Sequence, residues 1–327
     1  MIDQIFPGLF KIEVPLPGNP LKVVNSYLIR GDDKNLLIDT GMNRPECKKA
    51  FDQALQELRV NMHQTDIFIT HLHVDHSGLA AYLKTPQSKV YGSRADTDTL
   101  NMFNGSSGTQ YWNDLAAFAV QNGFLEGKQA IVSHPGYKYC SPGNIKFEVI
   151  EDGTYIEISG FSLKCILTPG HTQGHVCLYE EDKQILFSGD HILDQITPNI
   201  ALFSSNYDPL RDYLESLDKV FKLAVKTTLP AHRSIIYDHQ RRIMEIKKHH
   251  QLRCHEILGI LNYGPANAYD IASMMSWDLK YYQWEEFALP QKWFAIGEVI
   301  AHLKYLYETG EVVEYDGDGI TLFSLPA

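Results

Sequence analysis

The stretch Asp66-Ile67-Phe68-Ile69-Thr70-His71-Leu72-His73-Val74-Asp75-His76 decides how the rest of this chain is read. Its first half, DIFIT, is a short run of apolar and β-branched residues, which predicts a compact buried strand. Its second half places three imidazoles and a carboxylate within six residues, directly where that strand ends. In an extended stretch residues two apart share a side, so His71, His73 and Asp75 are expected to point together. His76 would swing to a neighbouring point as a helix begins. Neutral imidazole and carboxylate are the ligands that zinc, iron and manganese accept. A lone histidine is ordinarily a surface or core residue, but four such side chains packed this closely point to metal.

Three further candidates lie after strand-like runs downstream. His171 follows FSLKCILTPG (161–170), Asp190 follows QILFSG (184–189), and His232 follows TTLPA (227–231). Strands that each deliver a ligand at their C-terminal side suit a site at one edge of a sheet. Seven ligands exceed what one tetrahedral ion takes, so two ions sharing one carboxylate is the natural count.

These motifs, HLHVDH, TPGHTQGH (168–175), FSGD (187–190) and LPAH (229–232), with LIDTG (37–41) upstream, resemble the metallo-β-lactamase superfamily over roughly residues 8–240. The resemblance implies an α/β fold, an αββα sandwich. It implies His71, His73 and His171 on one ion, Asp75, His76 and His232 on the other, and Asp190 bridging. Asp39, in LIDTG, resembles the carboxylate that orients a ligand imidazole from behind. TPGHTQGH and the GD pair are closer to glyoxalase II-like hydrolases than to drug-resistance lactamases. Two divalent ions, zinc first with iron or manganese as alternatives, would lower the pKa of bound water from 15.7 to about 7 and supply a bridging hydroxide as nucleophile. Asp75 and Asp190 are then the catalytic carboxylates. His175 is the rival to His171, and its place just before the next strand suits a structural hydrogen bond better.

Around these motifs the chain alternates strands and helices. Strands are expected at 9–14, 25–30 and 35–39, the last two forming a hairpin, and a helix from Pro45 to about Leu58. Residues 93–144 carry one helical piece near 110–122 among loops such as NGSSG (104–108) and SHPGYKYCSPG (133–143), and are expected to lie over the site as an insertion. From about 238 the pattern turns helical: a long helix to 261, then 268–275, a short piece near 284–289, and 291–309. A hairpin, EVVEYDGDGITLF (311–323), closes it. Three helices and a hairpin resemble a winged-helix module, setting the domains at 1–244 and 245–327.

The other histidines are read more plainly. His249, His250 and His255 are placed on a solvated helix face, and His302 in a structural role. His191 serves either packing or the pocket, and His134 sits in the insertion. Asn199, Tyr207 and Arg233 are candidate substrate contacts by position alone.

Composition excludes several classes. The net charge is −11, and residues 251–327 hold four basic against eleven acidic side chains. A surface that neutralises phosphates needs the opposite sign, so nucleic acid is not the expected partner. A small molecule is, and a second copy of the chain is a further candidate. No run of about 18 apolar residues suggests a membrane span. The start lacks a signal-peptide pattern, and five scattered cysteines form no C-x-x-C, so a cytoplasmic address with reduced thiols is expected. Hydrolysis of an ester-like bond, thioester or lactone first, leads. The alternatives are phosphodiester cleavage, persulfide-type redox chemistry at one iron, and a metal-bound regulator without catalysis.

Overall fold

A computed structural model of the chain describes residues 1–103, 106–202, 207–278 and 283–327. One sheet holds β1 (Ile2–Phe6), β2 (Leu9–Pro15), β3 (Val23–Ile29), β4 (Asn35–Ile38), β5 (Thr65–Phe68), β6 (Val90–Ser93) and β7 (Glu148–Ile150), side by side in chain order. Pairing is antiparallel as far as β4 and parallel from there on. The expected hairpin is present, with Tyr27 opposite Ile38 and Ile29 opposite Leu36. The second sheet holds β8 (Tyr155–Ile158), β9 (Phe161–Leu167), β10 (Val176–Glu180), β11 (Ile185–Gly189) and β12 (Thr227–Pro230), in the order β12-β11-β10-β9-β8. β9 and β11 both run antiparallel to β10, and β12 runs parallel to β11, so β9, β11 and β12 share one direction.

The two-residue period of the strands sorts side chains into layers. Tyr27, Ile29, Leu36, Ile38 and Phe68 face Leu163, Cys165, Leu178, Phe187 and Leu229 between the sheets. Their chain neighbours Leu28, Leu37 and Ile67 point outward, against Cys47, Phe51 and Ala54 of α1 (Pro45–Glu57). On the far side Ile166, Cys177, Tyr179 and Leu186 meet a helical layer. The result is an αββα sandwich. β1 escaped the sequence reading because its residues are mostly half-buried and carry no clear alternation.

The helices after α1 are α2 (Val74–Ser77), α3 (Ala80–Leu83), α4 (Arg94–Met102), α5 (Ser106–Gln121), α6 (Gly127–Ser133), α7 (Pro135–Lys138), α8 (Pro209–Phe221), α9 (His239–Leu261), α10 (Ala268–Met274) and α11 (Leu289–Glu308). Strands β13 (Val313–Gly317) and β14 (Ile320–Ser324) form the closing hairpin. Residues 93–144 are more helical than their glycines, prolines and serines suggest. Trp112, Ala116, Phe124 and Ile131 of this segment share one apolar cluster with Trp293, Ile296 and Ile300 of α11, and that tertiary burial overrides weak local propensity. The NGSSG loop begins at Asn104 and Gly105, outside the described residues. All five thiols are free. Among the described residues, no helix is long and apolar enough to cross a membrane.

The solvated face expected for His249, His250 and His255 holds only in part. His255 is exposed, but His250 is 1% exposed and lies on the inward stripe Ile243, Ile246, His250, Arg253, Ile257. Its Nδ1–H donates to His302 Nε2 at 3.0 Å, while His302 Nδ1–H donates to the Glu298 carbonyl at 2.7 Å. Burial pushes His302 down to about 4, and burial first, with the neighbouring imidazoles and Arg253, holds His250 well below its ordinary value. Both stay neutral in the fold, so between about pH 6.5 and pH 4 the unfolded chain binds protons that the native state refuses. Stability should therefore fall as pH drops through 6.5, with His302 alone worth roughly 3 kcal/mol by pH 4. Urea unfolding at pH 7.5 and 5 should show this loss, and His302→Gln should shrink it. An unchanged loss in that variant would refute the assignment.

Candidate metal centre

The parallel run of strands brings the candidates to one edge of the sandwich. Asp39 follows β4 and His71 follows β5. His171, Asp190 and His232 come after the C-terminal ends of β9, β11 and β12. His73, Asp75 and His76 occupy the entry and first residues of α2. Ligand atoms of His71, His73 and His171 form one group that could hold an ion, and those of Asp75, His76 and His232 form another. His71, His76 and Asp190 form a third, overlapping both. Every residue singled out as a ligand in the sequence is thus brought into one cluster.

The hydrogen bonds behind the rings fix which nitrogen faces inward. His76 Nδ1–H donates to Asp39 Oδ2 at 2.8 Å, His171 Nδ1–H to the Asn199 carbonyl at 2.8 Å, and His232 Nδ1–H to the Val23 carbonyl at 2.8 Å. His71 Nδ1 lies 3.1 Å from Thr70 Oγ1, whose own hydroxyl donates to Asp39 Oδ2 at 2.7 Å. With Nδ1 committed, each Nε2 presents a lone pair. The Nε2 atoms of His76, His171 and His232 are buried without a hydrogen-bond partner, as is Asp190 Oδ1. Such orphans are costly unless something binds them. His71 Nε2 and His73 Nδ1 stand 3.1 Å apart, and with His171 they make up one possible ligand group.

The spacing fits an ion rather than direct bonds. Asp190 Oδ2 lies 3.5 Å from His171 Nε2 and 3.6 Å from His76 Nε2, and Asp190 Oδ1 lies 3.5 Å from His232 Nε2. Two ligand atoms bound to one tetrahedral ion at its usual distances stand about 3.4 Å apart. Asp75 Oδ2 is likewise 3.5 Å from His232 Nε2. His73 and His171 are half-buried whereas His76 and His232 are fully enclosed, so the first pair faces the opening.

Electrostatics divides the cluster in the same way. Burial and the neighbouring imidazoles hold His71 well below its ordinary value, and burial holds His73 down to about 3. Burial works against the charge on His76 and His232 too, but Asp190 with Asp39 and Asp75 outweighs it for His76, and Asp190 with Asp75 does so for His232, raising both. Burial opposes ionisation of Asp75, yet His76 and His232 bring it down to about 2. The deeper half therefore favours positive charge, and the half at His71 and His73 does not.

The remaining candidates are engaged by the scaffold. His175 lies behind the cluster, its Nε2 accepting from the Asp190 N–H at 3.1 Å and its Nδ1 paired with Thr168 Oγ1 at 2.8 Å. Gly189, at φ +48, permits this approach, since a Cβ there would lie 2.6 Å from that Nε2. His191 packs edge-on against Tyr213. His134 caps α7 through Gly136 N–H and stacks near Trp112 and Phe294. Arg233 reaches the Pro20 carbonyl, and Tyr207 packs into the helical cluster. Asn199 is likewise spent: its side-chain amide donates to Glu298 Oε2 at 3.0 Å.

Sequence reasoning missed Asp96. Its buried carboxylate accepts from Leu72 N–H at 2.8 Å, Thr172 Oγ1–H at 2.6 Å and Gly174 N–H at 2.8 Å, tying the loop of His71 and His73 to the loop of His171. Burial nonetheless pushes it up to about 6. The signal was present but ambiguous, because Ser93-x-x-Asp96 is also the pattern that opens a helix, and Ser93 does cap α4.

Comparison with known proteins accords with this geometry. A family model described as the metallo-beta-lactamase superfamily matches residues 19–232, and one described as the metallo-beta-lactamase-like C-terminal domain matches residues 254–326. The lactamase-like protein nscB of Aspergillus fumigatus is 26% identical over 75% of this chain and 60% of its own length. The atrochrysone carboxyl ACP thioesterase of the same fungus is 23% identical over 79% of this chain and 66% of its own. The chain thus spans about three fifths to two thirds of these relatives. The crystal structure of a metallo-beta-lactamase family protein from Thermus thermophilus superposes with a TM-score of 0.83 at 28% identity, covering 99% of this chain and 100% of that one.

Proposed function

Since this chain belongs to the metallo-β-lactamase superfamily of hydrolases, we propose that it uses two divalent metal ions to cleave an ester-like bond, thioester or lactone, in a small molecule. One observation carries the two-ion reading: three Nε2 atoms and a carboxylate oxygen, buried and unpartnered, converge while the opposite ring nitrogens are all committed. His71, His73 and His171 would hold one ion, Asp75, His76 and His232 the other, and Asp190 would be shared. Zinc suits this mixture of imidazole and carboxylate, and iron or manganese could replace it. Bound there, the ions supply a Lewis acid and lower the pKa of water to about 7.

The chain's own groups do the rest. Asp39, Asn199, Thr70 and Val23 fix four rings with their lone pairs inward. Asp75, held ionised by His76 and His232 against its burial, is placed to orient a water molecule at the centre. A thioester is favoured because the relatives include carrier-protein thioesterases. A phosphodiester is disfavoured by the acidity of residues 251–327. The division into 1–244, carrying the ligands, and 245–327, winged-helix-like, is supported by three helices closed by a hairpin. Five free thiols fit a reducing, cytoplasmic compartment.

Metal analysis of the purified protein should find close to two ions per chain. In a panel of thioesters, lactones, phosphodiesters and β-lactams, turnover should concentrate on the first two. A single tightly held iron without hydrolysis would replace this reading with redox chemistry, and cleavage of phosphodiesters alone would replace it with a nuclease.

A further inference from the structure

The loop that leaves Asp190 is held from outside by the C-terminal helices. Arg242 of α9 donates to the carbonyls of Leu193 at 2.7 Å and Ile196 at 2.8 Å. The Gly297 carbonyl of α11 accepts from Leu202 N–H at 3.0 Å. Between these points stands Asn199, whose amide donates to the Phe294 carbonyl at 3.3 Å and to Glu298 Oε2 at 3.0 Å. Its own carbonyl takes the Nδ1–H of His171. Glu298 is in turn paired with Arg253 of α9 at 3.4 Å, their side chains 12% and 7% exposed. Arg253 is pinned by Glu256, the Ser276 carbonyl and the face of Trp277.

We infer that the C-terminal helices are a working part of the catalytic centre: Glu298, braced by Arg253, positions the ligand His171 through Asn199. The inference rests on the two-ion reading above. A ring held by one hydrogen bond at Nδ1 aims its Nε2 only as well as the acceptor is fixed, and this acceptor is a loop carbonyl with no strand or helix of its own. What fixes it is a largely enclosed carboxylate on a helix nearly one hundred residues later in the chain. No equivalent strut reaches the deeper half among the described residues, where His76 rests on Asp39 and His232 on Val23, both in the sandwich. The C-terminal helices should therefore govern one ion and spare the other. Glu298 is a positioning residue, since its contact with the centre runs through Asn199.

Cadmium NMR of the loaded full-length protein, where each of two ions gives its own resonance, tests this together with chelator competition. Glu298→Ala should shift one resonance and weaken that ion about 10-fold or more, leaving the other within twofold. Glu298→Gln keeps an oxygen for the Asn199 amide and should restore the wild-type shift. Because Glu298→Ala strands Arg253 and could fail to fold, Asn199→Ala provides the same cut with the Glu298–Arg253 pair intact, and should reproduce the one-site loss. Unchanged affinities in the folded variants, or equal loss at both sites, would overturn the inference alone. Wild-type protein lacking two cadmium resonances would overturn the two-ion reading as well.

Discussion

Asp190→Ala is expected to abolish hydrolysis, by more than about 100-fold, while the metal-free protein keeps its fold. Removing a group that merely orients a ligand costs on the order of 10–100-fold in affinity or activity, and a carboxylate facing both halves of the cluster must exceed that. Its oxygens approach His76, His171 and His232 from the centre. No scaffold hydrogen bond uses its side chain among the described residues, and the backbone N–H that His175 holds is untouched by the substitution. Activity and stability should thus separate. Metal content by mass spectrometry, ester turnover and thermal unfolding of metal-free protein check the three parts. Full turnover in the variant would remove Asp190 from the mechanism.

Asp39→Ala should behave in the opposite way, damaging fold and metal binding together. Asp39 Oδ1 accepts from Thr70 N–H at 2.8 Å, and Oδ2 accepts from the Thr70 hydroxyl and from His76 Nδ1–H. All of these groups are buried. Alanine would leave three donors without partners, at about 1–3 kcal/mol each. The total should be on the order of 3–5 kcal/mol, the usual consequence of breaking a buried polar pair from one side. Asp39 also sits at φ +59, a left-handed conformation that asparagine tolerates and alanine does not. Asp39→Asn should therefore recover part of the stability while His76 still loses its charged partner. Urea unfolding of the metal-free protein, followed by metal titration, separates the two effects. An alanine variant as stable as wild type would show that water satisfies these donors.

Much of the centre was legible because its ligands are delivered locally. His71, His73, Asp75 and His76 lie in six residues, and the others each close a recognisable strand. His175 could be set aside from its place before a strand, and it does serve the backbone of Asp190. Asp96, Asn199 and Glu298 were not legible in their roles. Each acts by hydrogen-bonding a loop distant in sequence, and no short-range pattern encodes such a partner. His250 shows the same limit from the other side: it was placed on a solvated face of α9, and only packing against α11 makes that face an interior. Residues 93–144 were underestimated as helix because their stability comes from packing on α11 rather than from propensity.

The resemblance carried by the motifs supplied the sandwich, and local pattern was enough for most strands and helices, because their alternation and order are written in neighbouring residues. It was enough, too, for the seven candidate ligands, because metal chemistry restricts donors to a few residue types. The inward nitrogen of each ring, the carboxylates that brace rather than bind, and the reach of the far helices into the centre all emerged with the folded chain. Those are matters of distance between segments, and hydrogen bonds are settled at that scale.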